Sequence, residues 1–251
     1  MGTIHSILWE IDPYILQTSW FQLRWYSFLL GLSIMLSYLL SLFICKREHQ
    51  STQYLLLLIQ YVVIGTFIGA RFVQVFIYEW AYYSMNPWSI FKIWEGGLAS
   101  HGGLLGAVIA IYFFARKTQA YSFWWILDRL CLLLPLAGGL IRIGNLFNSE
   151  IVGRPTQMKW GFIFPKIDQQ VRHPSQLYEA VLLFILFISI WTLYLNKKNL
   201  PAGLLTGLLL FVGFSARSFL EIFKAEGQMP QLLSIPVIIT GLLLIYWALR
   251  R

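Results

Sequence analysis

Apolar residues gather along this chain into seven long blocks, at roughly 25–45, 54–78, 97–115, 123–141, 179–196, 203–220 and 231–249. A helix rising about 1.5 Å per residue needs about 20 apolar residues to cross a bilayer. The blocks meet that length, the fifth and sixth near its lower limit, and Asp128 and Arg129 interrupt the fourth. The pattern predicts an all-α polytopic membrane protein of seven transmembrane helices. One transmembrane domain over 1–251 accounts for the chain, with an N-terminal arm (1–24) and a long loop (142–178). Neither half repeats the other, which argues against an inverted-repeat transporter.

Composition agrees: 58% of residues are hydrophobic, 12% are charged and the mean hydropathy is +0.65. Globular domains carry nearer a quarter charged residues. The net charge of +8 and pI near 9.5 raise the question of nucleic acid. No basic stripe with interleaved aromatics exists, so no nucleic-acid partner is expected. The cations sit mainly at helix ends and in the long loop, where membrane lipid headgroups are the natural partners. Cys45 and Cys131 fall in or beside apolar blocks and read as packing residues. Glu10 and Asp12 precede the first cation, Arg24, so no secretory signal is expected. Met1–Ser6 fits a myristoylation pattern, read as coincidence because the topology places this end outside.

Lys and Arg in short loops set orientation. With the N-terminus outside, the inner segments hold eight: Lys46, Arg47, Arg116, Lys117, Lys197, Lys198, Arg250 and Arg251. The short outer loops hold two, Lys92 and Lys224. The expectation is therefore N-terminus out and C-terminus cytoplasmic. The segment 142–178 then lies outside with five Lys and Arg residues, which suggests an anionic ligand.

Several polar residues approach that outer face from different helices. Arg24 and Tyr26 open the first block, and Arg71 lies about 10 Å inside the end of the second. His101 sits one turn into the third, among Gly96, Gly97, Gly102 and Gly103, which allow backbone or substrate to come close. Arg142 ends the fourth block and is followed by Asn145, Asn148 and Glu150. Arg217 and Glu221 close the sixth, four residues apart on one helix face. Each has a bland reading: Arg24 snorkelling to headgroups, Arg71 in an internal ion pair, Arg217 and Glu221 as a plain ion pair. Asp128 beside Arg129 reads as structural. A second cluster, Arg172-His173-Pro174-Ser175-Gln176-Leu177-Tyr178-Glu179, opens the fifth block, with Ser175 a natural helix cap. No P-loop, HExxH, GxSxG or metal-spaced Cys/His set is present in the sequence. His5, His49, His101 and His173 fall too far apart in the predicted topology to form an obvious site.

Taken together, these motifs resemble the bacterial prolipoprotein diacylglyceryl transferase family. The stretch Arg142-Ile-Gly-Asn-Leu-Phe-Asn-Ser-Glu-Ile-Val-Gly153 is similar to its signature. Arg24-Trp25-Tyr26, Gly69-Ala70-Arg71, Ser100-His101-Gly102-Gly103, the 172–179 cluster, Arg217 with Glu221, and Leu233-Ser234-Ile235-Pro236 match in order along the chain. Ile141, where many members have Gly, Leu146, where Phe is common, and Gly213, where Tyr is usual, depart from the pattern. A short loop after Glu221 completes the marks of a divergent branch.

The resemblance implies transfer of the diacylglyceryl group of phosphatidylglycerol to the lipobox cysteine of a preprolipoprotein signal peptide. A thioether forms and glycerol phosphate leaves. It further implies a multi-pass protein of the bacterial cytoplasmic (inner) membrane, its active site toward the outer leaflet. The thiol needs a base or a positive field, and the leaving phosphate needs cations. Arg142 and Arg217 are the expected phosphate ligands and His101 the base or a headgroup contact. Asn145, Asn148 and Glu150 would position the headgroup glycerol or the loop. Tyr26 and Glu221 would shape the site, and Arg71 and Gly153 complete the substrate-binding set. The chemistry calls for no metal and no organic cofactor. Two alternatives stay open: a related phospholipid-dependent transferase with another acceptor, and a non-catalytic lipid-binding protein or transporter.

Overall fold

The computed structural model describes residues 6–92, 97, 99–197, 199–225 and 234–250. Several sequence readings fall outside them: the Met1–Ser6 motif in its first five residues, Gly96, Lys198, Leu233, Arg251 and most of the loop after Glu221.

Each apolar block coincides with a helix, apart from its ends. The first three are α1 (Trp25–Arg47), α2 (Leu55–Val73) and a π-helical turn (Gln74–Tyr78) that prolongs α2. After α3 (Trp80–Met85) and a 3-10 turn (Pro87–Phe91) come α4 (Ser100–Thr118) and α5 (Phe123–Phe147). Beyond the long loop lie α6 (Ser175–Asn196), α7 (Leu204–Leu208), a π stretch (Leu209–Gly213), α8 (Phe214–Leu220), a 3-10 turn (Glu221–Phe223) and α9 (Ser234–Leu249).

Among the described residues, five helices are long and apolar enough to span: Trp25–Arg47, Leu55–Tyr78, Phe123–Phe147, Ser175–Asn196 and Leu204–Phe223. This is a multi-pass membrane architecture with two fewer such helices than the seven blocks. The helix α4 opens on Ser-His-Gly-Gly and closes on Arg-Lys-Thr, which shortens its apolar stretch. In the last block, α9 has 16 described residues.

Short strands add to the helical plan. In the arm, β1 (Ile7–Leu8) pairs in parallel with β4 (Phe162–Ile163) of the long loop, and β4 pairs antiparallel with β5 (Val171–Arg172). A separate hairpin joins β2 (Tyr14–Gln17) to β3 (Gln22–Arg24) and leads directly into α1.

The chain divides into two compact units. The first comprises residues 1–40 and 128–251, the second residues 41–127. In the first, Leu146, Val152, Phe162 and Phe164 form a buried cluster beneath the long loop, with Trp9 and Leu177 against it. The Trp9 indole donates to the Leu146 carbonyl at 2.9 Å, tying the arm to the end of α5. At Asp128, 1% exposed, the structural reading holds. Its carboxylate accepts from the backbone N–H of Gly203 (2.8 Å) and Thr206 (2.9 Å) and from the Thr206 hydroxyl (2.7 Å). That satisfies donors at the start of α7 that have no partner within their own helix.

In the second unit α2 packs on α4 through glycines four apart on both helices, Gly65 and Gly69 against Gly102 and Gly106. A Cβ at Gly65 would lie 2.5 Å from that of Ala110, and one at Gly69 would lie 2.7 Å from the Gly106 Cα. Small residues at this spacing let two backbones touch in a lipid environment, where apolar burial gives no extra drive. The freedom around His101 supplied by Gly102 is thus taken up by the backbone of Gly69 and the side chain of Val73.

Candidate active site

Arg142 and Asn145 project from the last turns of α5, three residues apart on one face. Between them in sequence, Gly144 receives Tyr26: a Cβ there would sit 3.0 Å from the Tyr26 ring. The chain then doubles back, with Ser149 N–H donating to Leu146 O (3.0 Å) and Glu150 N–H to Asn145 O (2.9 Å). Ser149 (φ 56°) and Ile151 (φ 57°) are left-handed. A β-branched residue there is an outlier, costing about 1–3 kcal/mol unless its surroundings hold it.

The holding groups come from the 172–179 cluster. Ser175 Oγ donates to Ile151 O at 2.7 Å and Gln176 Nε2 to Glu150 O at 2.5 Å, both side chains buried. Ser175 therefore does not cap α6: Pro174 holds that position and no side-chain cap bond is made. The hydroxyl reaches the strained carbonyl instead. Glu150 in turn accepts from Asn145 Nδ2 (3.1 Å) and Asn148 Nδ2 (3.0 Å). Both amide groups thereby point their donors at one carboxylate. Their Oδ1 atoms are buried without a hydrogen-bond partner among the described residues.

Gly153 closes the loop. Its N–H donates to His173 O at 2.9 Å, its backbone bridges to Lys224, and Arg154 N–H donates to Phe223 O at 3.0 Å. A Cβ at Gly153 would lie 2.5 Å from both the His173 and Phe223 carbonyl oxygens, so no larger residue fits without moving two strands of chain. Arg172 Nη1 donates to Gly153 O at 3.1 Å, while its Nε lies 3.1 Å from Asp168. The Arg172 guanidinium holds the Asp168 carboxyl below its ordinary range. The buried His173 ring faces the Tyr178 hydroxyl at 3.2 Å, and that hydroxyl accepts from Trp160 Nε1 at 3.0 Å. Desolvation, then the nearby Arg154 charge, pushes the His173 imidazole below its ordinary value.

Beneath this loop runs a line of paired charges. Arg142 Nε lies 2.6 Å from one Glu179 oxygen, and Lys224 Nζ lies 2.6 Å from the other. Lys224 also reaches Glu221 Oε2 at 3.2 Å. The Lys224 and Glu179 side chains are only 3% and 6% exposed, a burial that charged groups sustain only when paired. Sequence reasoning treated Lys224 as a topology marker and left Glu179 and Gln176 without a role. The fold makes Glu179 the hub. The sequence carries no signal for this, since no pattern announces the burial of a Lys three residues after Glu221.

The remaining predicted residues take these places. Tyr26, Arg142, Asn145, Asn148, Glu150, Gly153, Arg217 and Glu221 all belong to the first unit. Arg217, partly buried, lies in α8, and Glu221 opens the following 3-10 turn with Lys224 as an ion-pair partner. Arg71 and His101 belong to the second unit. Arg71, 8% exposed, donates through Nε to Ile90 O (2.8 Å), through Nη1 to Gly97 O (3.0 Å) and through Nη2 to Ser89 O, with Tyr83 against its face. This side chain organises the segment ahead of α4. His101 is exposed on the first turn of α4, its Nδ1 3.4 Å from the Tyr78 hydroxyl. Of the departures, Leu146 fills the cluster under the loop, and Gly213 ends the π stretch with Leu186 3.3 Å from where a Cβ would stand.

Comparison with known proteins bears on this arrangement. The family model for prolipoprotein diacylglyceryl transferase matches residues 13–247. A phosphatidylglycerol–prolipoprotein diacylglyceryl transferase of Chloroherpeton thalassium is 39% identical across 100% of this chain and 97% of its own length. The enzyme of the same name from Tolumonas auensis is 39% identical over 95% of this chain and 96% of its own. That of Porphyromonas gingivalis is 35% identical over 98% and 95%. The match begins in the β2–β3 hairpin, runs through the strained loop and its ion pairs, and ends within α9; the chain belongs to the prolipoprotein diacylglyceryl transferase family.

Proposed function

We propose that the chain carries out the family's reaction, moving the diacylglyceryl group of phosphatidylglycerol onto the lipobox cysteine of a preprolipoprotein. The thiolate sulfur attacks the terminal glycerol carbon of the lipid. The C–S bond forms as the C–O bond to phosphate breaks, glycerol phosphate departs with that electron pair, and the thiol proton passes to a base. An exposed cysteine thiol ionises near 8.5, so a base has real work to do at neutral pH.

The observation that carries the assignment is how Arg142 is held. Its Nε lies 2.6 Å from Glu179 Oε2, in an ion pair with a carboxylate whose other oxygen is held by Lys224, and the Arg142 side chain stays 19% exposed. A guanidinium gripped at one edge presents the other as a planar fork, which suits two phosphate oxygens. Arg217 is the proposed second cation. The buried acceptors of Asn145 and Asn148 suit the hydroxyls of the headgroup glycerol, with Glu150 fixing both amides. Tyr26 on Gly144 shapes the wall, and Gly153 and Glu221 set the loop and Lys224. His101 is the proposed base, supported by its exposure and its Tyr78 contact. The contacts of Arg71 favour positioning over direct binding of substrate.

The proposed setting is the bacterial inner membrane, with seven crossings, the N-terminus outside, and the site toward the outer leaflet. Helices at all seven apolar blocks and the eight-to-two Lys/Arg count support it. The test is incubation of purified protein with phosphatidylglycerol and a lipobox peptide, read by peptide mass. A gain equal to one diacylglyceryl group is expected. Retained lipid binding with no mass gain would favour a lipid-binding protein.

A further inference from the structure

Resting on the phosphate role of Arg142, we propose that Glu179 and Lys224 form a positioning pair that sets the direction of the Arg142 fork. Glu179 divides its two oxygens, one to Arg142 Nε and one to Lys224 Nζ, each at 2.6 Å. A carboxylate offered to an arginine alone tends to accept from two nitrogens at once, using the edge that a phosphate would need. Lys224 prevents this by holding the second oxygen. Glu221, 3.2 Å from Nζ, and the backbone bridge from Lys224 to Gly153 keep the ammonium in place. The pairing also ties loop to fork: the residue that bridges Gly153 is the one that fixes the carboxylate gripping Arg142.

This arrangement gives each residue a distinct signature. Glu179→Gln removes the grip but keeps size and one acceptor oxygen, so kcat for lipid transfer should fall about 100-fold, as misplacement of a catalytic group by about 1 Å does. The KM for the lipobox peptide should hold, because the pair is assigned to the lipid phosphate through Arg142 and not to the peptide. Lys224→Met should also lower kcat, by releasing Glu179 onto the whole guanidinium, and Lys224→Arg should restore most of the rate.

The deciding experiment is a double-mutant cycle with Arg142→Lys on full-length protein in phosphatidylglycerol nanodiscs, kcat and both KM values measured. If Glu179 acts through the fork, Glu179→Gln should cost less than about threefold in the lysine background, because interacting sites are not additive. Equal fold-losses in both backgrounds, or a loss confined to the peptide KM, overturn the inference. Should Glu179→Gln not insert, the same cycle run with Lys224→Met decides by the same criterion. Arg142→Ala separates the two readings. Its normal turnover would remove the phosphate role itself, whereas an inactive Arg142→Ala beside a fully active Glu179→Gln removes only the positioning pair.

Discussion

The loop at the end of α5 and the helix pair α2–α4 solve opposite problems with the same residue. In the helix pair, Gly65, Gly69, Gly102 and Gly106 remove side chains so that two regular backbones meet. In the loop, Gly153 removes a side chain so that irregular backbone can be crossed by two other segments, at His173 and Phe223. The helix pair has satisfied its own peptide groups by being helical. The loop has not, and borrows donors from Ser175, Gln176 and Arg172. Close packing in the one buys association of helices; in the other it holds a strained, charge-lined surface. The difference predicts that changes in the loop act on rate and changes in the helix pair on stability.

Among the glycines of these two regions, the largest effect expected follows from Gly153→Ala. Two carbonyls 2.5 Å from the new methyl must move, and transfer should fall by at least about 100-fold while helix content is kept. A turnover assay beside circular dichroism checks both halves. Gly69→Val comes next and should sharpen the contrast. It forces α2 from α4 where a Cβ already meets the Gly106 Cα at 2.7 Å, at a cost of about 1–3 kcal/mol read as a lowered unfolding temperature.

Acidification should distinguish the two regions without mutation. The His173 imidazole in the fold titrates below its ordinary 6.5, chiefly through desolvation. The unfolded loop therefore binds the proton first, and the stabilisation from neutral His173, complete above 6.5, drains away as pH falls toward the depressed value. Asp168, also depressed, loses its contribution lower still, below its ordinary 3.8. Hydrogen exchange in 148–174 should accelerate between pH 7 and 5 while that of α2 and α4, corrected for intrinsic rates, stays level. The smallest effect belongs to Ser175→Ala, which leaves Ile151 O without its donor. It should destabilise by about 1 kcal/mol and lower the rate modestly.

How much of this was legible in advance follows the range of the interactions. The apolar blocks are local, and each coincides with a helix. Asp128 beside Arg129 reads as structural, and its carboxylate accepts three hydrogen bonds at the start of α7. The signature residues around Arg142 were visible as a polar knot at a helix end. The Glu179–Lys224 pair was not, since it joins residues 45 positions apart with no periodicity between them. Nor was the left-handed Ile151, because a β-branched residue is poor evidence for that conformation. Ser175 shows the same limit from the other side: local propensity favours a cap, while the strained carbonyl of Ile151 claims the hydroxyl. The strands of the arm and long loop, two to four residues each, are too short to leave a period.

Arg142 is the group proposed to meet the leaving phosphate, and its removal is the most direct test of the mechanism. Purified wild-type and Arg142→Ala proteins, matched for insertion and unfolding temperature, should be given phosphatidylglycerol and a lipobox peptide, with glycerol phosphate release and peptide mass followed together. Both products should fall by about 1,000-fold or more in the variant, the scale of losing a principal charge-stabilising donor. Release and peptide modification at the wild-type rate would contradict the phosphate role.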